Sequence, residues 1–166
     1  MEFVIRKFRE ADWKLFADLR LRALRSDPAV FGSTFEAEHA QADTDWKKAV
    51  ADERSAIFGL FCDAEPIGVS AISLWRDDPT EETAILWGTW IDPAHRGRGL
   101  SEMLYEARLE WARERKSLAR VIVSHRESNE PSRRANQKFG FVRKGESLRV
   151  WPDGKSEAEY HYELLL

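Results

Sequence analysis

The residues best equipped for chemistry stand together in Arg96-Gly97-Arg98-Gly99-Leu100-Ser101, a basic glycine-bearing turn between an apolar run ending at Ile91 and a long helical pattern. The first N–H groups of a helix lack intrahelical partners, and the helix dipole adds about half a positive charge there, so this turn predicts an anion site, phosphate above all. Glycines at 97 and 99 let backbone approach the anion, and Arg96 and Arg98 add charge-assisted donors. Other phosphate motifs fail on spacing. A G-x-G-x-x-G turn needs glycine where Glu102 stands, and the chain has no Gly-Lys-Ser/Thr.

The remaining reactive side chains are sparser. His39, His95, His125 and His161 show no ligand spacing, and a single cysteine excludes an internal disulfide or a multi-cysteine cluster, so no metal is expected. His95 adjoins the phosphate turn, and His125 follows an apolar run and is a candidate base. Cys62, inside an apolar stretch, is expected to be a buried thiol, and one cysteine fits a reducing cytoplasm. Charges interrupt every apolar run of the N-terminus, and no segment approaches a membrane span or a signal core.

These residues need a framework. Residues 3–8 alternate as a half-buried strand, whereas 11–25 carry Trp13, Phe16, Leu19 and Ala23 at helical spacing. A second helical stretch is expected over 35–52. Strands follow at 55–62 and 67–75 around the turn Asp63 to Pro66, then at 83–91, ended by Asp92-Pro93. A helix is predicted from Gly99 to about Lys116, with Leu100, Met103, Leu104, Ala107 and Trp111 on its apolar stripe and Arg108, Arg113 and Arg115 on a solvated face. A short strand at 119–124, a helix at 130–138 and a hairpin of 141–151 with 156–165 complete the chain. The order is that of an α/β (α+β) fold built on one mixed sheet.

Length and composition agree: 166 residues, 43% hydrophobic and 33% charged, fit one domain over 1–166. The net charge is −3, yet residues 95–145 hold 13 basic against 6 acidic side chains, leaving 13 against 23 elsewhere. The overall balance rules out a uniformly basic nucleic-acid coat, and a locally basic stretch lies within a mildly acidic protein.

The turn Arg96 to Ser101 resembles the R/Q-x-x-G-x-G/A acetyl-coenzyme A signature of the GNAT superfamily of N-acetyltransferases, with Ser101 where Gly or Ala is usual. A second element, Asn129-Glu130-Pro131-Ser132-Arg133-Arg134-Ala135-Asn136-Gln137-Lys138-Phe139-Gly140-Phe141, is similar to that superfamily's N-x-x-A/S…Y-x-x-x-G-F element. The C-terminal part also looks like that of ribosomal-protein N-terminal acetyltransferases.

The resemblance implies a mostly antiparallel sheet of six to seven strands flanked by helices, the acyl-CoA N-acyltransferase fold, with its fourth and fifth strands splayed around the pantetheine arm. It implies that Trp90 and Ile91 pair with pantetheine, that Arg96, Gly97, Arg98, Gly99, Leu100 and Ser101 hold the diphosphate, and that Asn129 meets the pantetheine amides. The implied reaction is direct attack of a primary amine on acetyl-CoA.

That chemistry makes three demands. The amine must lose a proton, the oxyanion needs a donor such as a backbone N–H of the strand ending at Ile91, and the thiolate needs a proton. For the last, the family's usual Tyr is replaced by Asn136, which donates hydrogen bonds but no proton, so Ser132 is the better candidate. For the base, the usual mid-strand Glu is replaced by apolar Ile85 or Leu86, leaving Glu82, Glu81, Glu38 and Glu146 as alternatives. Phe31, Phe35 and Glu38 are expected near the acceptor, a small-molecule amine or a protein amino group. No nucleic-acid or membrane partner is expected, and a homodimer stays among the open oligomeric states. The alternative is a non-catalytic coenzyme A binding or sensing protein of the same fold.

Overall fold

The computed structural model describes residues 1–166. Strands β1 (Phe3–Lys7), β2 (Ser55–Cys62), β3 (Glu65–Leu74), β4 (Thr83–Ile91), β5 (Arg120–Arg126), β6 (Val142–Val150) and β7 (Ser156–Leu165) form one sheet in the order β1-β2-β3-β4-β5-β7-β6. Helices α1 (Trp13–Ser26), α2 (Phe35–His39), α3 (Asp43–Ala51), α4 (Leu100–Glu114) and α5 (Glu130–Lys138) connect and flank it. Every strand pair is antiparallel except β4 with β5, which are joined through α4. This is a mixed, mostly antiparallel sheet of seven strands, within the six to seven that the family resemblance implies.

Local chemistry explains the elements. Asp63 and Ala64, both with positive φ, make the two-residue turn that pairs β2 with β3. Helix α1 buries Phe16, Leu19, Ala23 and Leu24 with Trp46 of α3 against one sheet face. Helix α4 buries Tyr105, Leu109, Trp111 and Ala112 in a cluster containing Ile72, Leu86 and Val121 on the other.

Three expectations change. The helical stretch 35–52 is two helices, because the Asp45 carboxylate accepts from Ala42 N (3.3 Å) and starts a new helix where α2 has ended. Cys62 is half-exposed rather than buried, standing at the end of β2. Arg108 is 1% exposed instead of solvated. Its neighbours three and four residues away, Leu104, Tyr105, Trp111 and Ala112, are all buried, so it shares their face.

Candidate active site

The parallel pairing of β4 with β5 lasts three residues, Thr83 to Ile85 against Arg120 to Ile122. Beyond it the strands diverge around a cleft of about 670 Å³, walled by Leu86 to Ile91 on one side and Val123 to His125 on the other. Tyr105 and Arg108 of α4 and the first turns of α5 also line it, with Phe31 among the residues before α2. Next to the cleft, β4 slips against β3 between the pairs Ala71 with Trp87 and Val69 with Trp90, and Gly88 takes φ +68°. Gly88 and Thr89 thus form a bulge facing the opened gap.

One end of the cleft is the glycine turn. Gly97 and Gly99 have φ of +77° and +72°, values that L side chains rarely adopt, and Gly99 is the N-cap of α4. Gly97, Gly99, Leu100 and Ser101 line the cleft, with space where a Cβ at Gly97 would stand. Their N–H groups at the positive end of a 15-residue helix could hold an anion while an extended ligand continues between the strands.

The arginines of the turn act differently from expectation. Arg96 lines the cleft, but its Nε donates to Ile91 O (2.8 Å) and its Nη2 to Asp27 Oδ2 (2.7 Å). Trp90 Nε1 donates to the same Asp27 oxygen (2.9 Å). Burial pushes the Asp27 carboxyl up, yet hydrogen bonds from Arg96, Ser26 and Trp90 outweigh it and hold the carboxyl below its usual range. The pair locks the turn to the end of α1. Arg98 points out of the cleft to Met1 Sδ (2.9 Å). Both guanidinium groups are thus engaged by protein partners.

On α5, Asn129 is the N-cap: its Oδ1 accepts from Ser132 N (3.2 Å), and both residues line the cleft. Pro131 at the start of the helix loses no hydrogen bond there. Asn136 is fully buried at the cleft wall, where its Oδ1 accepts from the Tyr105 hydroxyl (2.5 Å) and its Nδ2 has no partner.

The carboxylates weighed as bases stand elsewhere. Glu82 lies at the closed end, where its carbonyl accepts from Ala119 N (2.8 Å) and its Oε2 from Thr80 Oγ1 (3.3 Å). It is seven residues from Thr89 along β4, about 23 Å at the rise of a strand. Glu81 pairs with Arg54, Glu38 with Arg20 (2.9 Å) and Glu146 with Arg143 (3.4 Å), and none of them lines the cleft. Phe35 also lies outside it, stacked on His39.

His125, by contrast, is a buried cleft residue. Its Nδ1 meets Arg126 O (2.7 Å), and a carbonyl only accepts, so Nδ1 carries the proton and Nε2 accepts from the Tyr162 hydroxyl (3.0 Å). Burial pushes its pKa below the ordinary histidine value, leaving a neutral imidazole at pH 7. His95 lines the same cleft with its Nδ1 unpartnered. Sequence reasoning missed Tyr105 and Arg108 as site residues, although both share the buried face of α4.

A family model described as "Acetyltransferase (GNAT) family" matches residues 17–141. A Bacillus subtilis protein described as "Putative ribosomal N-acetyltransferase YdaF" is 28% identical over 122 residues, 73% of this chain and 65% of that relative. The fold matches an acetyltransferase of the GNAT family from Streptococcus pneumoniae, with TM-score 0.84, 21% identity, and coverage of 99% of this chain and 100% of that one. It also matches yncA from Salmonella typhimurium, solved with its cofactor acetyl-CoA, with TM-score 0.82, 18% identity, and coverage of 100% of this chain and 95% of that one.

Proposed function

Because the chain belongs to the acetyltransferase (GNAT) family, we propose that it is an N-acetyltransferase, which moves an acetyl group from acetyl-CoA to a primary amine by direct attack within a ternary complex. One observation carries this reading: a cleft opened between β4 and β5 that begins at an αL-capped helix N-terminus, fitting an extended ligand with a diphosphate at one end. Residues 1–166 act in this reading as one acetyltransferase domain, working in the cytoplasm without a metal.

The roles follow from position. The N–H groups from Gly97 to Ser101 hold the diphosphate. The pantetheine arm lies along Trp90 and Ile91, with the Asn129 side chain facing its amides. Since the Ile91 carbonyl is already engaged by Arg96, that arm pairs with other backbone groups of β4.

A free alkylamine has a pKa of about 10.4, so the acceptor needs a base. His125 fills that role once the amine takes the place of the Tyr162 hydroxyl at Nε2: it lines the cleft and is neutral at pH 7 because burial depresses its pKa. The carbonyl oxygen gains charge on attack, and backbone N–H groups at the Gly88–Thr89 bulge, which lines the cleft, are the donors for it. Ser132, which lines the cleft, then relays to the sulfur the proton that His125 took from the amine, its hydroxyl giving one proton and receiving another, with Asn136 four residues along α5.

The likeness to YdaF favours a protein N-terminal amine over a free small amine, and the acidic balance outside residues 95–145 favours a cationic acceptor. The test is thiol release from acetyl-CoA with a panel of N-terminal peptides, polyamines and amino acids. Turnover that requires an acceptor supports an enzyme. Tight coenzyme binding without turnover on any amine supports the sensor instead.

A further inference from the structure

Three arginines are buried, and two have carboxylate partners. Arg20 is bound in bidentate fashion by Glu38, and Arg126 is held by Asp153 and Glu157. Arg108, the most deeply buried at 1% exposure, has none. Its Nε donates to Leu104 O (3.0 Å) and its Nη1 to Thr89 Oγ1 (2.9 Å), and its guanidinium lies 4.7 Å from the centre of the Tyr105 ring.

A guanidinium taken out of water without a counter-charge loses its hydration at a large cost. Two neutral oxygens and one aromatic face restore only part of that. Burial brings the Arg108 pKa down to about 10, so the group still carries its charge at pH 7. The protein thus maintains a cation against the cleft wall without supplying the anion.

The location says which anion. Arg108 lines the cleft and is bonded to β4 at Thr89, within the bulge. It stands seven residues along α4 from Ser101, about 10 Å at the helical rise. It therefore faces the inner part of the cleft, beyond the end where a diphosphate would sit.

We propose that Arg108 is the counter-charge for the coenzyme sulfur as it departs, an inference that rests on the acetyl-CoA reading above. Once the N–C bond has formed, the C–S bond breaks and its electron pair goes to sulfur. The proton given up by the amine ends on that sulfur, so CoA leaves as the neutral thiol and Arg108 is unchanged. The guanidinium favours the anionic sulfur between those two events, where charge is greatest.

The test is titration of the thiol of bound CoA, followed by ultraviolet thiolate absorbance, in the wild type and in Arg108→Met. A free thiol titrates near about 8.5. A cation within a few ångströms lowers such a value by about one unit or more, so bound CoA should hold roughly tenfold more thiolate than free CoA at the same pH. Arg108→Met should abolish the excess and lower kcat about 100-fold, and Arg108→Lys should keep part of both. A wild-type bound thiol that titrates at or above the free value overturns the proposal, and that measurement needs no variant to fold. So does an Arg108→Met that raises only the KM for the acceptor, which would assign the charge to an acceptor carboxylate. Failure of CoA to bind at all would overturn the acetyl-CoA reading itself, whereas binding with an ordinary thiol overturns the Arg108 role alone.

Discussion

The hydroxyl of Tyr105 donates to Oδ1 of Asn136 across 2.5 Å, joining α4 to α5 at the wall of the cleft, and the Tyr105 ring stacks on Phe139 at 4.6 Å. Both α4 and α5 line the opened gap, so this bond helps set the spacing between the glycine turn and the helix that carries Ser132. Tyr105→Phe keeps the stack and removes the donor, leaving the buried Asn136 amide without any partner. The expected loss is about 1–3 kcal/mol of stability, read by urea denaturation. A variant as stable as wild type would mean that the amide finds another partner.

Gly99→Ala puts a side chain where φ is +72° at the N-cap of α4. The strain is about 1–2 kcal/mol, and it acts on the N–H groups proposed for the diphosphate. The KM for acetyl-CoA should rise several-fold with kcat little changed. A fall confined to kcat would count against the turn as a binding element.

Ser132→Ala should lower kcat by ~100-fold while leaving the KM for acetyl-CoA within about twofold, since the backbone N–H capped by Asn129 is retained. An unchanged turnover number would remove Ser132 from the mechanism.

His125 makes a pH prediction. Its pKa in the folded protein lies below the ordinary value of 6.5, so on acidification the unfolded chain binds the proton first. This contribution to stability is fully present above about pH 6.5 and is lost as pH falls through the folded-state value. The same protonation should produce an acid limb in kcat/KM below pH 6.5. His125→Gln should flatten that limb and reduce the rate at neutral pH by at least tenfold. An acid limb that persists in the variant belongs to another group.

Glu82→Gln should leave kcat and both KM values within about twofold of wild type, because Glu82 lies at the end where β4 and β5 are still paired. A large loss of rate would contradict the position of the chemistry along β4.

What could be read from sequence, and what could not, divides along physical lines. Strand β4 and helix α5 have the bounds expected from their patterns, because a β-branched and aromatic run ended by Asp-Pro, and an Asn cap followed by Pro, are local signals. The glycine turn that starts α4 is legible for the same reason. The parting of β4 from β5 was implied only by family likeness, since no local residue marks where pairing between distant strands stops. The fate of charged side chains was the least legible. Arg96 and Arg98 sit in a phosphate-like motif, yet Asp27 and Met1, about 70 and 97 positions away, decide where they point. Arg108 reads as solvated from its charge and is buried, since its four helical neighbours Leu104, Tyr105, Trp111 and Ala112 are all on the core face.

The central claim is that the cleft between β4 and β5 transfers acetyl from acetyl-CoA to an amine. The most direct test is release of free CoA thiol from acetyl-CoA by the purified protein, with and without a panel of N-terminal peptides. Thiol release that depends on one or more peptides, with a matching 42 Da gain on that peptide's amine, about the mass of an acetyl group replacing a proton, is the predicted result. Saturable acetyl-CoA binding with no acceptor-dependent release from any peptide or small amine would contradict it.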